Sequence, residues 1–231
     1  MSEQVDTRLD IADAVAEGAD VSVSIVLDRI SHYFGTRCVF RDISATVSAG
    51  QILVVSGANG SGKSTLLRII AGLLTPTNGS VAVTLHGQQF EVNMSRGYFG
   101  YVAPDLVLYR ELSGAENLQF FANLHGIEMD RGDLIDLLTR VGLRGRGRDL
   151  VGTYSSGMRQ RLKYAFALLH DPPILLLDEP TANLDMDGME IVDRIVCGQQ
   201  KRIGGGLTIV ATNEPRELTW GSMRIHLEPP S

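Results

Sequence analysis

The sequence predicts an α/β fold with a mainly parallel sheet, an N-terminal antiparallel β subdomain and an inserted helical subdomain. Short apolar runs that suit buried strands alternate with helical segments, which is the pattern of a parallel sheet. Between about residues 106 and 169 this alternation stops, and the segment has the periodicity of consecutive helices. We therefore expect that segment to be inserted into the sheet domain.

The bulk composition suits one large domain. The chain has 231 residues, of which 44% are hydrophobic, so it can bury a substantial core. Residues 1–20 are acidic and have little apolar content, which predicts a flexible tail or a marginal helix over residues 8–17. We expect residues 21–231 to form the folded domain.

Charge and hydropathy limit the partners of the chain. The net charge of −6 and the pI near 5.4 argue against a nucleic-acid partner, which usually requires a basic face. No apolar run approaches the roughly 18 residues that span a bilayer, and residues 1–20 lack the apolar core of a signal peptide. We expect a cytoplasmic protein whose membrane role comes through a partner.

Strand patterns dominate the first hundred residues. Apolar and polar residues alternate over residues 23–28, and a second strand is predicted over 37–47 after a Phe-Gly turn. Residues 51–56 form a short apolar run before a glycine, which is typical of a buried parallel strand. Residues 81–85 and 89–92 flank His-Gly and predict a hairpin.

Helices dominate the middle of the chain. Ser113 and Glu116 have the spacing of a capping box, in which each side chain bonds the other residue's backbone N–H. The helix that follows carries an apolar stripe, which we assign to core packing. The remaining predicted elements are strand 98–102, helices 64–73, 130–141, 158–169 and 189–200, and strands 174–177 and 207–211.

A glycine-rich segment, Gly-Ala-Asn-Gly-Ser-Gly-Lys-Ser over residues 57–64, lies between a predicted strand and a predicted helix. Glycine allows the tight turns that direct backbone N–H groups inward, and the helix N-terminus favours an anion. This pattern is typical of a loop that binds the phosphates of ATP. The residues assigned to ATP binding here are Gly57, Asn59, Gly60, Ser61, Gly62, Lys63, Ser64 and Thr65.

Two of these residues have particular roles. The Lys63 ammonium is expected to neutralise the β and γ phosphates, and the Ser64 hydroxyl is placed to ligate Mg²⁺. Two carboxylates, Asp178 and Glu179, end a later apolar strand and precede a proline. In open α/β sheets ligands bind at the carboxyl ends of the strands. We expect Asp178 to hold Mg²⁺ and Glu179 to act as the general base that polarises the attacking water.

The order of further motifs resembles an ABC-type ATPase. Residues 154–161 read Tyr-Ser-Ser-Gly-Met-Arg-Gln-Arg, and residues 181–185 read Thr-Ala-Asn-Leu-Asp. Together with the phosphate loop and the acidic strand end, they resemble this family over roughly residues 21–217. Within it, the chain looks like haem-exporter-type and ABC-2-like exporter ATPases. The resemblance implies a P-loop NTPase core that hydrolyses ATP with Mg²⁺.

The resemblance also implies a head-to-tail homodimer with two ATP molecules between the subunits. Ser155 and Gly157 would then bind the γ-phosphate held by the opposite subunit, although the family pattern Leu-Ser-Gly-Gly-Gln reads Tyr-Ser-Ser-Gly-Met here. Asp185 would lie at the dimer interface near the catalytic water. Phe34 matches the position of the aromatic that stacks on adenine; Tyr33 is the neighbouring candidate, and core packing is the alternative role.

The chain departs from the family at two positions. The family usually carries a glutamine after the strand at 98–102, where this chain has Pro104 followed by Asp105. Asp105 is the candidate replacement as an oxygen ligand of the metal. The family usually has histidine where this chain has Asn213, which can donate a hydrogen bond to a γ-phosphate oxygen but carries no positive charge. These departures predict intact ATP binding and slower or partner-dependent hydrolysis.

Three functions follow from these observations. The leading hypothesis is the ATP-hydrolysing subunit of an exporter, which drives a separately encoded integral membrane permease and lies on the inner face of the cell membrane. The second is a soluble ABC ATPase of translation or DNA metabolism, a class that usually has tandem cassettes, coiled-coil insertions or a basic face. The third is a nucleotide-gated clamp with little hydrolysis, which the missing glutamine and histidine favour and Glu179 opposes.

Overall fold

The computed structural model describes residues 23–203, 205–221 and 223–228, which fold into two sheets and a set of helices. The predicted acidic tail at residues 1–20 lies outside the described residues. One sheet is antiparallel and comes from the N-terminal part of the chain, and the other is parallel and lies at the centre. The predicted α/β class is therefore confirmed.

The antiparallel sheet has the strand order β2-β1-β4-β5. Its strands are β1 (Val23–Phe34), β2 (Arg37–Ser48), β4 (Asn78–Leu85) and β5 (Gln88–Glu91). Strand β1 buries Ile25 and Leu27 as its alternation predicts. The predicted hairpin is confirmed, and both of its turn residues, His86 and Gly87, have the positive φ that a two-residue hairpin turn requires.

The parallel sheet has the order β6-β7-β8-β3-β9, and each neighbouring pair is parallel. Its strands are β3 (Ile52–Gly57), β6 (Phe99–Val102), β7 (Ile174–Asp178), β8 (Leu207–Ala211) and β9 (Met223–Leu227). Every residue of β7 and β8 is buried, because helices or the antiparallel sheet cover both faces. Strand β9 was not predicted, since its polar residues break the apolar run expected of a buried strand.

The described helices are α1 (Lys63–Ile70), α2 (Gly114–Leu124), α3 (Arg131–Arg140), α4 (Ser156–Ala167), α5 (Met186–Gln200) and α6 (Pro215–Leu218). The predicted capping box of α2 is present, and α3 has a second one that was not predicted, between Asp130 and Asp133. Helix α6 was also missed. None of the helices in these parts of the chain is long and apolar enough to cross a membrane.

Helices α4 and α5 begin two and three residues earlier than predicted, and capping side chains explain both differences. Helix α4 begins at Ser156 because the Ser155 hydroxyl accepts a hydrogen bond from the Met158 N–H at 3.1 Å. Helix α5 begins at Met186 because the Asp185 carboxylate accepts one from the Gly188 N–H at 2.9 Å.

The parallel sheet separates two apolar cores. Leu175 and Leu177 of β7 belong to the core beneath α2–α5, whereas Ile174 and Leu176 belong to the core shared with α1 and the antiparallel sheet. Because β3, β7 and β8 are parallel and in register, their carboxyl ends meet at one edge of the sheet. That edge carries the phosphate loop and the predicted acidic pair.

Candidate nucleotide-binding site

The phosphate loop connects β3 to α1 and has backbone angles that favour glycine. Gly57 and Gly62 have φ of +147° and +100°. A Cβ atom would lie 2.3 Å from the Leu227 carbonyl oxygen at Gly57 and 2.4 Å from Val39 Cγ1 at Gly62. Such distances exclude a side chain, so the loop keeps its shape only with glycine at these two positions.

Lys63 is folded against the loop that precedes it. Its ammonium donates hydrogen bonds to the carbonyl oxygens of Gly57 at 2.8 Å and Ala58 at 3.1 Å, and the residue is 6% exposed. Burial lowers the pKa of the ammonium, whereas the carboxylates of Glu179 and Asp178 oppose that shift. The loop therefore holds a buried cation close to both predicted carboxylates.

Asp178 ends β7 as a nearly buried carboxylate that is 2% exposed. Burial raises its pKa, and a hydrogen bond from the Ser64 hydroxyl counteracts this. Its Oδ1 atom has no hydrogen-bond partner among the described residues. A carboxylate oxygen with free capacity beside a hydroxyl matches the oxygen ligands that Mg²⁺ prefers, so these two residues fit the predicted metal.

Glu179 follows Asp178 but is exposed. Its backbone N–H donates to the Ala211 carbonyl at 2.9 Å, and its φ is +49°, which is unusual for a residue with a side chain. The side chain lines an open cleft together with the phosphate loop. The residues lining this cleft are Phe34, Arg37, Val39, Asn59, Gly60, Gly62, Lys63, Ser64, Thr65 and Glu179.

Asn213 reaches the phosphate loop from the segment that follows β8. Its side-chain amide donates a hydrogen bond to Asn59 Oδ1 at 2.8 Å. The two residues are 154 positions apart, and the contact was not predicted. It brings the residue at the family's histidine position within hydrogen-bonding distance of the loop.

The aromatic candidates for adenine stacking differ in position. Phe34 is 57% exposed, lines the cleft and packs edge-to-face on His32 at a centroid distance of 4.7 Å. Tyr33 lies instead beneath the Arg41 guanidinium, 5.6 Å from its ring centre. Arg37 also lines the cleft, although the sequence did not single it out. Its position opposite Phe34 across the β1–β2 turn is the feature from which it could have been predicted.

The segment that lacks the family glutamine is tied to two helices. The Asp105 carboxylate forms an ion pair with Arg68 of α1 at 2.8 Å. The Lys163 ammonium of α4 donates to the carbonyl oxygens of Ala103, at 3.2 Å, and of Pro104. Neither Arg68 nor Lys163 was singled out in the sequence, and the metal-binding role of Asp105 stays a prediction.

The remaining predicted residues lie outside this cleft. Ser155 is exposed in front of α4, and a Cβ atom on Gly157 would lie 3.2 Å from the Asn183 carbonyl oxygen. Asp185 caps α5. None of the three lines the cleft formed by the phosphate loop. Within one chain, the two predicted halves of the site are therefore separate.

A glycine loop between a central parallel strand and a helix, with an acidic strand end at the same edge, defines a P-loop nucleotide-binding protein. A family model described as ABC transporter matches residues 40–182. The ABC transporter ATP-binding protein YybJ of Bacillus subtilis is 37% identical over 180 residues, which cover 78% of this chain and 80% of that protein. The chain thus belongs to the ABC transporter family as an ATP-binding domain.

Other relatives match over part of their length. The ABC transporter ATP-binding protein YdbJ of Bacillus subtilis is 42% identical over 71% of this chain, but this match spans 53% of YdbJ. The daunorubicin resistance ATP-binding protein DrrA3 of Streptomyces coeruleorubidus is 34% identical over 83% of this chain and 60% of its own length. The ATP-binding cassette MJ0796, in a dimeric post-hydrolysis structure with ADP and Pi, shares the fold: the TM-score is 0.75 at 24% identity, covering 88% of this chain and 94% of that one.

Proposed function

We propose that this chain is the ATP-hydrolysing subunit of an exporter and drives a separately encoded permease by pairing with a second copy of itself. The observation that carries the proposal is one cleft in which the phosphate loop, Lys63 and Glu179 meet. A cation and inward backbone N–H groups suit the phosphates, and the exposed carboxylate suits a water molecule in line with them.

Each group has a distinct part in the proposed reaction. The backbone of the glycine loop and Lys63 bind the β and γ phosphates, and Phe34 offers its exposed ring to the adenine. The Glu179 carboxylate accepts the proton of the attacking water, and Asn213 donates a hydrogen bond to a γ-phosphate oxygen. Mg²⁺, when bound by Ser64 and Asp178, neutralises charge on the phosphates.

The positions of Ser155 and Gly157 support the proposed dimer. They lie at the exposed N-terminus of the twelve-residue helix α4, where backbone N–H groups favour an anion. Because these residues do not line the cleft of their own chain, a second copy is needed to bring them to the phosphates. MJ0796, which shares the fold, is itself dimeric, and this supports the proposed pairing. In the proposed pair, Asp185 approaches the partner's site.

A permease partner is supported by an exposed apolar patch on the helical subdomain. We define this patch as Tyr109, Phe120 and Leu124, which are 47%, 38% and 66% exposed. The rings of Tyr109 and Phe120 pack at 5.1 Å, and Leu124 lies one helical turn beyond Phe120. Contiguous exposed apolar groups mark interaction surfaces. Two relatives favour export by what they are named for: DrrA3 is a daunorubicin resistance ATP-binding protein, and CcmA of Xanthomonas oryzae is a cytochrome c biogenesis ATP-binding export protein.

The permease is tested by purification from native membranes. We expect the tagged chain to co-purify with a multi-spanning membrane protein, and the double variant Phe120→Asp/Leu124→Asp to lose it, because two charges prevent burial of the patch. Met94→Asp, at another apolar residue that is 76% exposed, is the matched control and should retain the partner. Absence of any multi-spanning protein with the wild-type chain would contradict the proposal.

The second candidate is a nucleotide-gated clamp that binds ATP and scarcely hydrolyses it. Two observations favour it: Asn213 is bonded to Asn59, and Pro104 occupies the glutamine position. The exposed Glu179 carboxylate in the cleft favours hydrolysis instead. A wild-type turnover too slow to measure, even with the permease present, would support the clamp.

Asn213→His is expected to raise the basal ATP turnover about fivefold. A hydrogen bond from a charged donor is worth about 1 kcal/mol more than one from a neutral amide, and that difference corresponds to this factor. Steady-state phosphate release under saturating Mg-ATP measures it, with Asn213→Ala as the control that removes the donor. A turnover of Asn213→His no higher than that of the wild type would show that Asn213 does not slow hydrolysis.

A further inference from the structure

One buried carboxylate at the catalytic edge has no part in the reaction described above. Glu217 of α6 is fully buried, with 0% exposure. Its Oε1 atom accepts hydrogen bonds from the Thr181 backbone N–H at 3.0 Å and from the Thr181 hydroxyl. None of the salt bridges in the described parts of the chain includes Glu217. Burying a carboxylate without a cationic partner costs stability. This cost points to a function for the hydrogen bonds that Glu217 accepts from Thr181.

The residue that Glu217 holds lies in the segment that follows the catalytic strand. Thr181 is two positions after Glu179, and the segment from Glu179 to Asn183 has positive φ at both ends, +49° and +62°. Residues with side chains adopt such angles only when their surroundings enforce them. The Tyr164 hydroxyl of α4 donates to the Pro180 carbonyl at 2.9 Å, so buried groups hold this segment from two sides.

Glu217 also lies close to the second catalytic segment. It is four residues beyond Asn213 along the chain. Burial raises the pKa of the Glu217 carboxyl, and hydrogen bonds from Thr181 and Thr212 oppose the rise. Thr212 directly precedes Asn213, and its backbone N–H donates to the Val55 carbonyl of β3 at 3.0 Å. Glu217 thus belongs to the short helix that follows Asn213 and, through Thr181, hydrogen-bonds the segment that follows Glu179.

We propose that Glu217 is a positioning residue for ATP hydrolysis, which orients Glu179 relative to Asn213 by holding Thr181. This inference rests on the proposed function. The hydrogen bonds of Glu217 do not involve the phosphate loop. Substitution of Glu217 is therefore expected to change ATP turnover and to leave ATP affinity intact. A misplacement of about 1 Å at a reacting group costs up to about 10²-fold in rate.

The test compares two conservative variants that change different properties. Glu217→Gln keeps the acceptor oxygen at the same reach but removes the charge, whereas Glu217→Asp keeps the charge and withdraws the oxygen by one methylene. We expect kcat within about threefold of wild type for Glu217→Gln and a fall of about 10–100-fold for Glu217→Asp. The Kd of a fluorescent ATP analogue should change less than twofold in both. Glu214→Gln, an exposed glutamate in the same connection, is the matched control.

Amide hydrogen exchange separates this inference from the proposed function, because it needs no turnover. Glu217→Asp should speed amide exchange over residues 181–184 at least fivefold, while exchange over residues 57–64 remains unchanged. Unchanged exchange over 181–184, or a kcat of Glu217→Asp within twofold of a measurable wild-type value, would overturn the positioning role. A kcat and an ATP affinity that fall together would overturn it as well. A wild-type chain that binds the analogue without turnover contradicts only the hydrolysis part of the proposed function.

Discussion

Replacing Glu179 by Gln is expected to lower ATP turnover by about 10²–10⁴-fold, the usual effect of losing a general base, while ATP still binds. The amide has nearly the shape of the carboxylate but cannot accept a proton from water. Lys63 and the glycine loop stay intact, so the Kd of an ATP analogue should change little. Single-turnover phosphate release and equilibrium binding measure the two quantities separately.

The same variant reports on pairing of the chains. With hydrolysis blocked, Glu179→Gln in Mg-ATP is expected to elute at twice the monomer mass. Adding Ser155→Asp should return it to the monomer, because a carboxylate at the N-terminus of α4 repels the partner's phosphates.

For the turnover measurement, Glu214→Gln is the control for a lost exposed charge, and it should keep wild-type turnover. A turnover of Glu179→Gln within threefold of wild type would exclude Glu179 as the base.

Gly57→Ala is expected to lower the free energy of unfolding by about 2–5 kcal/mol in the absence of nucleotide. The added Cβ meets the carbonyl oxygen of Leu227, the partner of Gly57 in the β3–β9 ladder. Overpacking costs about 1–3 kcal/mol, and an unfavourable positive φ adds about 1–2 kcal/mol. Urea unfolding followed by circular dichroism measures the change.

Gly60→Ala provides the matched control for that measurement. Gly60 lies in the same loop with a φ of +81°, but a Cβ there meets nothing within 4 Å. It should lower the free energy of unfolding by only about 1–2 kcal/mol, the backbone contribution alone. Equal losses in the two variants would show that the contact with β9 does not determine the need for glycine at residue 57.

The parts of the site formed by consecutive residues were predictable. The glycine loop follows a short apolar run, and Asp178 and Glu179 end another, so their spacing and the rule for parallel strands already place them at one edge. The capping box at Ser113 was predictable for the same reason, because both partners lie within one helical turn. The starts of α4 and α5 were missed by two and three residues, since the side chains of Ser155 and Asp185 were interpreted through the family rather than as caps.

Contacts between distant segments were not predictable. Asn213 bonds Asn59, Asp105 pairs with Arg68, and Glu217 holds Thr181 across 36 positions. No local pattern distinguishes these polar residues from others on the surface, because each depends on which strands are neighbours. Strand β9 was missed because polar residues interrupt its apolar pattern, and helix α6 was missed because it has only 4 residues.

By itself, the sequence of this chain determined the α/β class, the phosphate loop and the acidic strand end. Each of these features depends on the backbone geometry and burial of a few adjacent residues. Only the tertiary structure decided that Ser155 and Gly157 lie outside the cleft, and that Glu179 is exposed while Asp178 and Glu217 are buried. Exposure and distance depend on how the strands and helices pack, and neighbouring residues of the same type can therefore have opposite environments.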